Sequence, residues 1–291
     1  MFIPEISASK VAALIGLNKY QSTDETKYDI MCKDKLIKAR IADIEKAGGR
    51  RPLAILIREI LSEAPIADCV QSGLQACRTT SDIPGVLQNV EKQARLILSL
   101  RHAKFEPALQ EFLVQEVRGK VAKQRGIHNE AIILDAYETQ RDVKVTQRNT
   151  KTVRKEYGKF RLIGRTDGFV ESENRIVDSK DRTRMWDEVP LYDEIQLRCY
   201  MDMTGASEAE LVERFPNGQV RHTKFLNDSE KWKAIQVAIE EAVADMNAML
   251  RDEEDLKRMI YKNTVCIAVN DGDSSAPRRS RRISDKQRLN L

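Results

Sequence analysis

Residues 160–180, FRLIGRTDGFVESENRIVDSK, constrain this chain more than any other stretch. Two runs rich in apolar and β-branched residues, FRLIGRTDGFV and RIVDSK, flank the polar cluster ESEN. That pattern predicts two strands joined by a hairpin turn. Asp167 falls on the first strand, and Asp178 and Lys180 fall on the second. Side chains two apart on a strand share a face, so Asp178 and Lys180 project together. The hairpin brings Asp167 beside them, and two carboxylates and one ammonium converge.

The surroundings predict a mixed α/β layer with helices on both sides of the strands. Residues 104–139 carry a helical pattern that contains Glu130, with Gly126 as a candidate break. VKVTQ reads as a further strand. LYDEIQLRCYMDM (191–203) returns to helical spacing and carries Gln196, with Tyr200 one turn later. ELVERF and QVRHTKF pair around PNG, a strong turn signal. Residues 229–262 read as one long helix. Upstream, residues 24–125 are largely helical. There Leu53, Leu56, Ile57, Ile60 and Leu61 form one amphipathic stripe, and Val86, Val90, Ala94, Ile97 and Leu98 form another. ISASKVAALIGLNKY opens the chain as a short helix that Ser7 or Ser9 can cap and Gly16 ends.

Convergent carboxylates with a lysine suit phosphodiester hydrolysis. A hard divalent cation such as Mg²⁺ prefers carboxylate oxygens and stabilises charge building on phosphate. The lysine can orient or deprotonate the attacking water, and a lowered lysine pKa is expected to favour the base role. A D-x-K triplet alone recurs by chance in many proteins. Glu130 on the preceding helix, Gln196 on the following one, and a serine at a helix start able to seat a phosphate make this set more specific.

Other classes find little support. The net charge of +4 is too small to argue for nucleic acid by itself. Much of it comes from the last 21 residues, where Arg278, Arg279, Arg281, Arg282, Lys286 and Arg288 outnumber Asp271, Asp273 and Asp285. This polar end reads as a disordered basic tail, with RRSRR as a candidate nucleic-acid contact or import signal. Aromatic residues make up 5% of the chain, which argues against extended base-stacking platforms. The five cysteines include no C-x-x-C pair, so free thiols in a reducing intracellular compartment are expected, not a disulfide or zinc framework. MFIPEISASK lacks the pattern of a secretory signal, and no apolar run approaches a membrane span.

The order ISAS, RGxxxE, TDG, DxK, QxxxY resembles the YqaJ-type viral recombinase nucleases, relatives of the phage lambda exonuclease within the PD-(D/E)xK superfamily. The resemblance covers residues 3–20 and about 120–205. It implies a restriction-endonuclease-like core, and it makes Glu130, Asp167, Asp178 and the Ser179 backbone carbonyl ligands of Mg²⁺ or Mn²⁺. By the same resemblance Lys180 is the catalytic lysine, Gln196 supports the site, and Ser9 approaches a terminal 5′ phosphate. Two departures stand out. The acid of the D-x-K triplet is Asp where Glu is common. No arginine precedes Ser9, so Arg125 and Arg165 are the candidates for that phosphate. His128 is two residues from Glu130 and on a helix points to a different side, which favours an all-carboxylate site.

The expected organisation is then residues 1–23 as the N-terminal part of the nuclease domain and 24–119 as a helical insertion. Residues 120–269 form the core and C-terminal helix, and 270–291 the tail. The resemblance implies a double-strand DNA exonuclease of 5′–3′ polarity acting on ends in viral or phage recombination. A single-strand annealing protein as partner and a homotrimer follow from it too. Alternatives are a structure-specific endonuclease, a RecB-like single-strand nuclease, and a non-catalytic DNA-binding scaffold with the same fold.

Overall fold

The structure, a computed structural model, describes residues 1–266. The chain starts with strand β1 (Glu5–Ser7), a 3₁₀ turn (Ala8–Lys10) and helix α1 (Val11–Leu14). Helices α2 (Thr23–Met31) and α3 (Lys35–Ala47) follow, then strand β2 (Arg50–Pro52). Four further helices come next: α4 (Leu53–Ser62), α5 (Ala64–Ala76), α6 (Ile83–Arg101) and the 35-residue α7 (Pro107–Arg141). The strands β3 (Thr152–Glu156), β4 (Arg161–Arg165), β5 (Gly168–Val170) and β6 (Arg175–Asp181) lead to helix α8 (Leu191–Thr204). Strands β7 (Glu208–Arg214) and β8 (Val220–Leu226), helices α9 (Ser229–Met249) and α10 (Glu253–Lys262), and strand β9 (Thr264–Cys266) complete it.

The site rests on a four-stranded sheet of order β5-β6-β7-β8. β6 and β7 run parallel, with Asp178 opposite Leu211, and the outer pairs run antiparallel. The parallel pair needs a crossover, which α8 supplies. Alternation then sorts the side chains. Val170, Val177 and Val212 meet Ile133, Leu134 and Tyr137 of α7 in a small core on one face. Ile176 and Leu211, on the other face, join the main core with Ile195, Leu197 and Tyr200 of α8.

Several expectations need correction. FRLIGRTDGFV is not one strand. β4 belongs to a separate sheet of order β1-β4-β3, and the chain crosses into the β5 sheet through Thr166 and Asp167. VKVTQ contributes only a bridge between Thr146 and Phe169, and the strand of this region is TVRKE. Gly126 does not break α7. A mid-helix glycine costs only about 1 kcal/mol, and α7 is held on both sides of it. Leu113, Val114, Val117 and Val121 pack in the helical body, and Ile133 and Leu134 pack against the sheet. The long C-terminal helix divides at Leu250–Asp252, where the Asp252 side chain caps α10 by accepting from the N–H groups of Glu254 and Asp255.

Packing within the helical stretch changes at Pro52, not at residue 24. Tyr28, Ile30, Met31 and Ile41 of α2 and α3 lie in the main core, whereas α4, α5, α6 and the first half of α7 have a core of their own. β2 and β9 tie the two ends of this arrangement together. The basic tail expected from residue 270 lies outside the described residues. Among the described residues no helix is long and apolar enough to cross a membrane.

Candidate active site

Asp167 sits at the crossing between the two sheets, beside β6. Its Oδ2 accepts the Ser179 backbone N–H at 2.9 Å and lies 3.2 Å from Ser179 Oγ. These bonds extend the β5–β6 pairing past Gly168–Val177 and aim Asp167 at the strand. A side chain on Gly168 would run into the Val145 side chain and force it to shift.

Asp178 and Lys180 share the α8 face of β6, as their spacing predicts. Lys180 Nζ lies 2.6 Å from Asp178 Oδ2. Asp178 Oδ1 is buried and, among the described residues, has no hydrogen-bond partner. Glu130 reaches the same region from α7, where Asn149 donates to its Oε1. Burial foremost, then the charges of Asp178 and Glu130, push the Asp167 carboxyl up to about 7. Glu130 is raised as well, by burial and then by Asp178, although the Asn149 hydrogen bond opposes the shift. The expected lowering of the Lys180 pKa is not found. Burial does work against the ammonium, but Asp178, Asp167 and Asp193 outweigh it and hold the pKa above the ordinary lysine value.

Carboxylates raised by one another, and a buried carboxylate oxygen without a donor, fit a divalent cation. Among the described residues no three Asp, Glu, His or Cys side chains close fully around a single point. Asn149 donates to Glu130, and Lys180 contacts one oxygen of Asp178. Carboxylate oxygens are the donors that Mg²⁺ and Mn²⁺ prefer, and Glu130, Asp167 and Asp178 are the candidates.

The other expected residues separate into two groups. Gln196 lies on α8 and donates to the Tyr200 hydroxyl at 3.1 Å. Tyr200 packs so closely on Gly164 that a Cβ there would meet its ring. Ser9 and Arg165 lie at the same end of the sheet as Asp167, because β1 runs parallel to β4 with Ser7 opposite Ile163. Ser9 Oγ is 3.1 Å from Ser7 Oγ, and neither caps the helix start. Arg125 goes elsewhere. It is buried, 2.5 Å from Asp181 on the opposite face of β6, and is not available to a terminal phosphate. His128 is exposed on α7.

Sequence reasoning missed Asn149, which sits in a turn at positive φ, and the buried cluster beyond Lys180. Arg182 pairs with Asp193 of α8 and with Glu213 of β7, each at 2.7 Å. Its signal was present, since Asp178, Lys180 and Arg182 continue one alternation.

An acidic cluster with an adjacent lysine, seated on a mixed sheet between α7 and α8, defines a nuclease-type centre. The chain belongs to the PD-(D/E)XK nuclease superfamily, whose profile matches residues 76–279, more than half of its length. Among solved structures it is similar to a phage-related exonuclease from Haemophilus somnus 129PT, with 15% identity and a TM-score of 0.35, over 48% of this chain and 73% of that one. It is also similar to LHK-Exo, an alkaline exonuclease from Laribacter hongkongensis, with 16% identity and a TM-score of 0.39, over 67% of this chain and 98% of that one. The same enzyme in complex with dAMP matches at 17% identity and 0.39, over 63% and 93%. No curated protein matches the chain.

Proposed function

We propose that this protein is a metal-dependent deoxyribonuclease, and that it degrades double-stranded DNA from ends with 5′–3′ polarity in viral or phage recombination. The observation that carries the hydrolytic reading is the buried, unpartnered Asp178 Oδ1 beside Lys180, on the strand whose Ser179 N–H donates to Asp167. End dependence and polarity rest on the resemblance to the YqaJ-type nucleases.

In this reading Glu130, Asp167, Asp178 and the Ser179 carbonyl hold Mg²⁺ or Mn²⁺, which supplies Lewis acidity toward a phosphodiester oxygen. Lys180 is held on Asp178 and donates hydrogen bonds to the attacking water and to phosphate oxygens. Gln196 and Tyr200 wall the α8 side. Ser9 and Arg165 are the candidates for the terminal phosphate. Arg125 is withdrawn from that role by its buried pairing with Asp181.

The test is cleavage of linear and closed-circular duplex DNA with Mg²⁺ or Mn²⁺, beside an Asp178→Ala/Lys180→Ala control. Degradation of linear DNA alone, lost in the control, is expected. Cutting of the circle moves the reading to an endonuclease. No cleavage and no metal binding sinks the enzyme reading in favour of a scaffold.

A further inference from the structure

Although aromatic residues are scarce in this chain, three of them gather where β6 leaves the sheet. The Tyr20 ring lies edge-on to Trp186 at 6.0 Å and to Tyr192 at 6.1 Å. Two cations are layered among them. The Arg184 guanidinium lies 4.1 Å from the centre of the Trp186 ring, and its Nη2 donates to the Tyr20 hydroxyl at 2.8 Å. Lys19 Nζ is 5.2 Å from the Tyr20 ring and 5.8 Å from Trp186. Tyr20 is 53% exposed, and Lys19 and Arg184 are exposed too. Among the described residues, the ion pairs of this region run through Arg182 and Arg221 and leave Lys19 and Arg184 without a carboxylate partner.

The cluster is continuous with the candidate active site. Tyr192, Gln196 and Tyr200 recur every four residues along α8 and form one stripe. Tyr200 ends the stripe against Gly164, two residues before the Thr166–Asp167 crossing, and Tyr192 ends it in the cluster. Residue 193, next to Tyr192, is the partner of Arg182, two residues beyond Lys180. The segment carrying Trp186 is also fixed. Arg221, paired with the buried Glu213 at 2.7 Å, donates to the backbone carbonyls of Trp186 and Asp187 at 2.8 and 2.9 Å.

We propose that Tyr20, Trp186 and Tyr192, with Lys19 and Arg184, form a stacking platform for unpaired nucleotides of the strand entering the cleavage site. A held ring layered with unpaired cations matches a nucleobase and its phosphate. Bases inside a duplex are stacked on both faces, so beyond the end pair the platform can take only single-stranded or frayed nucleotides. This inference rests on the nuclease reading and adds the form of the strand that the site takes.

The chain has two tryptophans, and Trp232 is packed against Tyr157 in the main core. The full-length Trp232→Phe protein therefore reports Trp186 alone. Titration in EDTA with oligothymidylate is expected to quench its fluorescence, and a blunt duplex of equal length to leave it largely unchanged. Trp186→Ala is expected to weaken oligothymidylate binding about ten-fold in anisotropy, with most of the affinity kept in Trp186→Phe. Wild-type affinity in Trp186→Ala, or equal quenching by the duplex, overturns the platform. So does equal quenching by polyglutamate, which would mark an acidic protein partner. Should Trp186→Ala fail to fold, Tyr20→Leu reads the same loss. If wild type cleaves DNA while Trp186→Ala binds normally, the platform alone fails. If wild type neither binds nor cleaves any nucleic acid, the nuclease reading fails with it.

Discussion

Lys180 Nζ lies 2.6 Å from Asp178 Oδ2, so the lysine of the D-x-K triplet neutralises one oxygen of its own acid and leaves the other without a partner. One ammonium beside three carboxylates leaves the centre short of positive charge, and a cation binding only the folded protein stabilises it by mass action. At a concentration of Mn²⁺ a hundred-fold above its Kd the gain is about 2.7 kcal/mol, a rise in Tm of roughly 5 °C for a protein of this size. Asp167→Ala is expected to abolish that rise in a thermal melt. An equal Mn²⁺ shift in wild type and variant would show that the ion binds elsewhere.

Arg125 answers a different demand. Its buried guanidinium offsets the buried Asp181, which also receives Arg214 at 3.1 Å and Asn129 at 2.6 Å. Removing one member of such a cluster leaves an uncompensated charge, and Arg125→Ala is expected to cost about 3 kcal/mol in urea unfolding. If Arg125 held a terminal phosphate instead, the variant would unfold like wild type and lose only its preference for 5′-phosphorylated DNA.

The hairpin and the shared face of Asp178 and Lys180 were legible because each depends on local alternation and on a turn a few residues long. The meeting of Asp167 with their strand was legible too, but its place at a crossing between two sheets was not. FRLIGRTDGFV carries no break in its apolar pattern, yet β4 and β5 enter different sheets, a choice made by partners far away in sequence. β1 pairs with β4, and β2 with β9, across more than 150 residues and over only three residues each. No periodicity of three residues can announce that. The fate of Arg125 was hidden for a related reason. A lone arginine on a helix looks the same whether it faces solvent or a buried aspartate, and only the seating of α7 on β6 decides between them. Arg182 could have been found by carrying the alternation of Asp178 and Lys180 one step further.

Gly164 controls how closely α8 approaches β4. A Cβ there would collide with the Tyr200 ring and press on the Met203 side chain at 3.0 Å. Overpacking of this kind costs typically ~1–3 kcal/mol, and relief requires α8 to move outward with Gln196 on it. Gly164→Ala is therefore expected to lower the rate of DNA cleavage several-fold at unchanged Mn²⁺ affinity, read by steady-state kinetics beside calorimetry. Unchanged cleavage would show that the Tyr200 stripe does not set the geometry of the reaction.

On the opposite face of the sheet, the fully buried Glu210 gathers four partners. Tyr137 donates to it at 2.7 Å, Arg141 at 2.8 Å and Arg175 at 2.7 Å, and His222 Nδ1 lies at 3.2 Å. Burial acts to raise its pKa, but the Tyr137 hydrogen bond and the charges of Arg141, Arg175 and His222 prevail and hold it below the ordinary glutamate value of 4.5. A carboxylate whose folded pKa lies below its unfolded one contributes stability that is present above the unfolded value. That stability is lost as pH falls through the folded value. Glu210→Gln is thus expected to cost about 3 kcal/mol at pH 7, because Arg175 is left buried with less compensation. The loss should shrink as the pH is taken below 4.5, where wild type gives up the same contribution. Parallel stability curves for the two proteins down through that range would show that Glu210 keeps its proton balance unchanged on folding, and would remove it as a source of acid sensitivity.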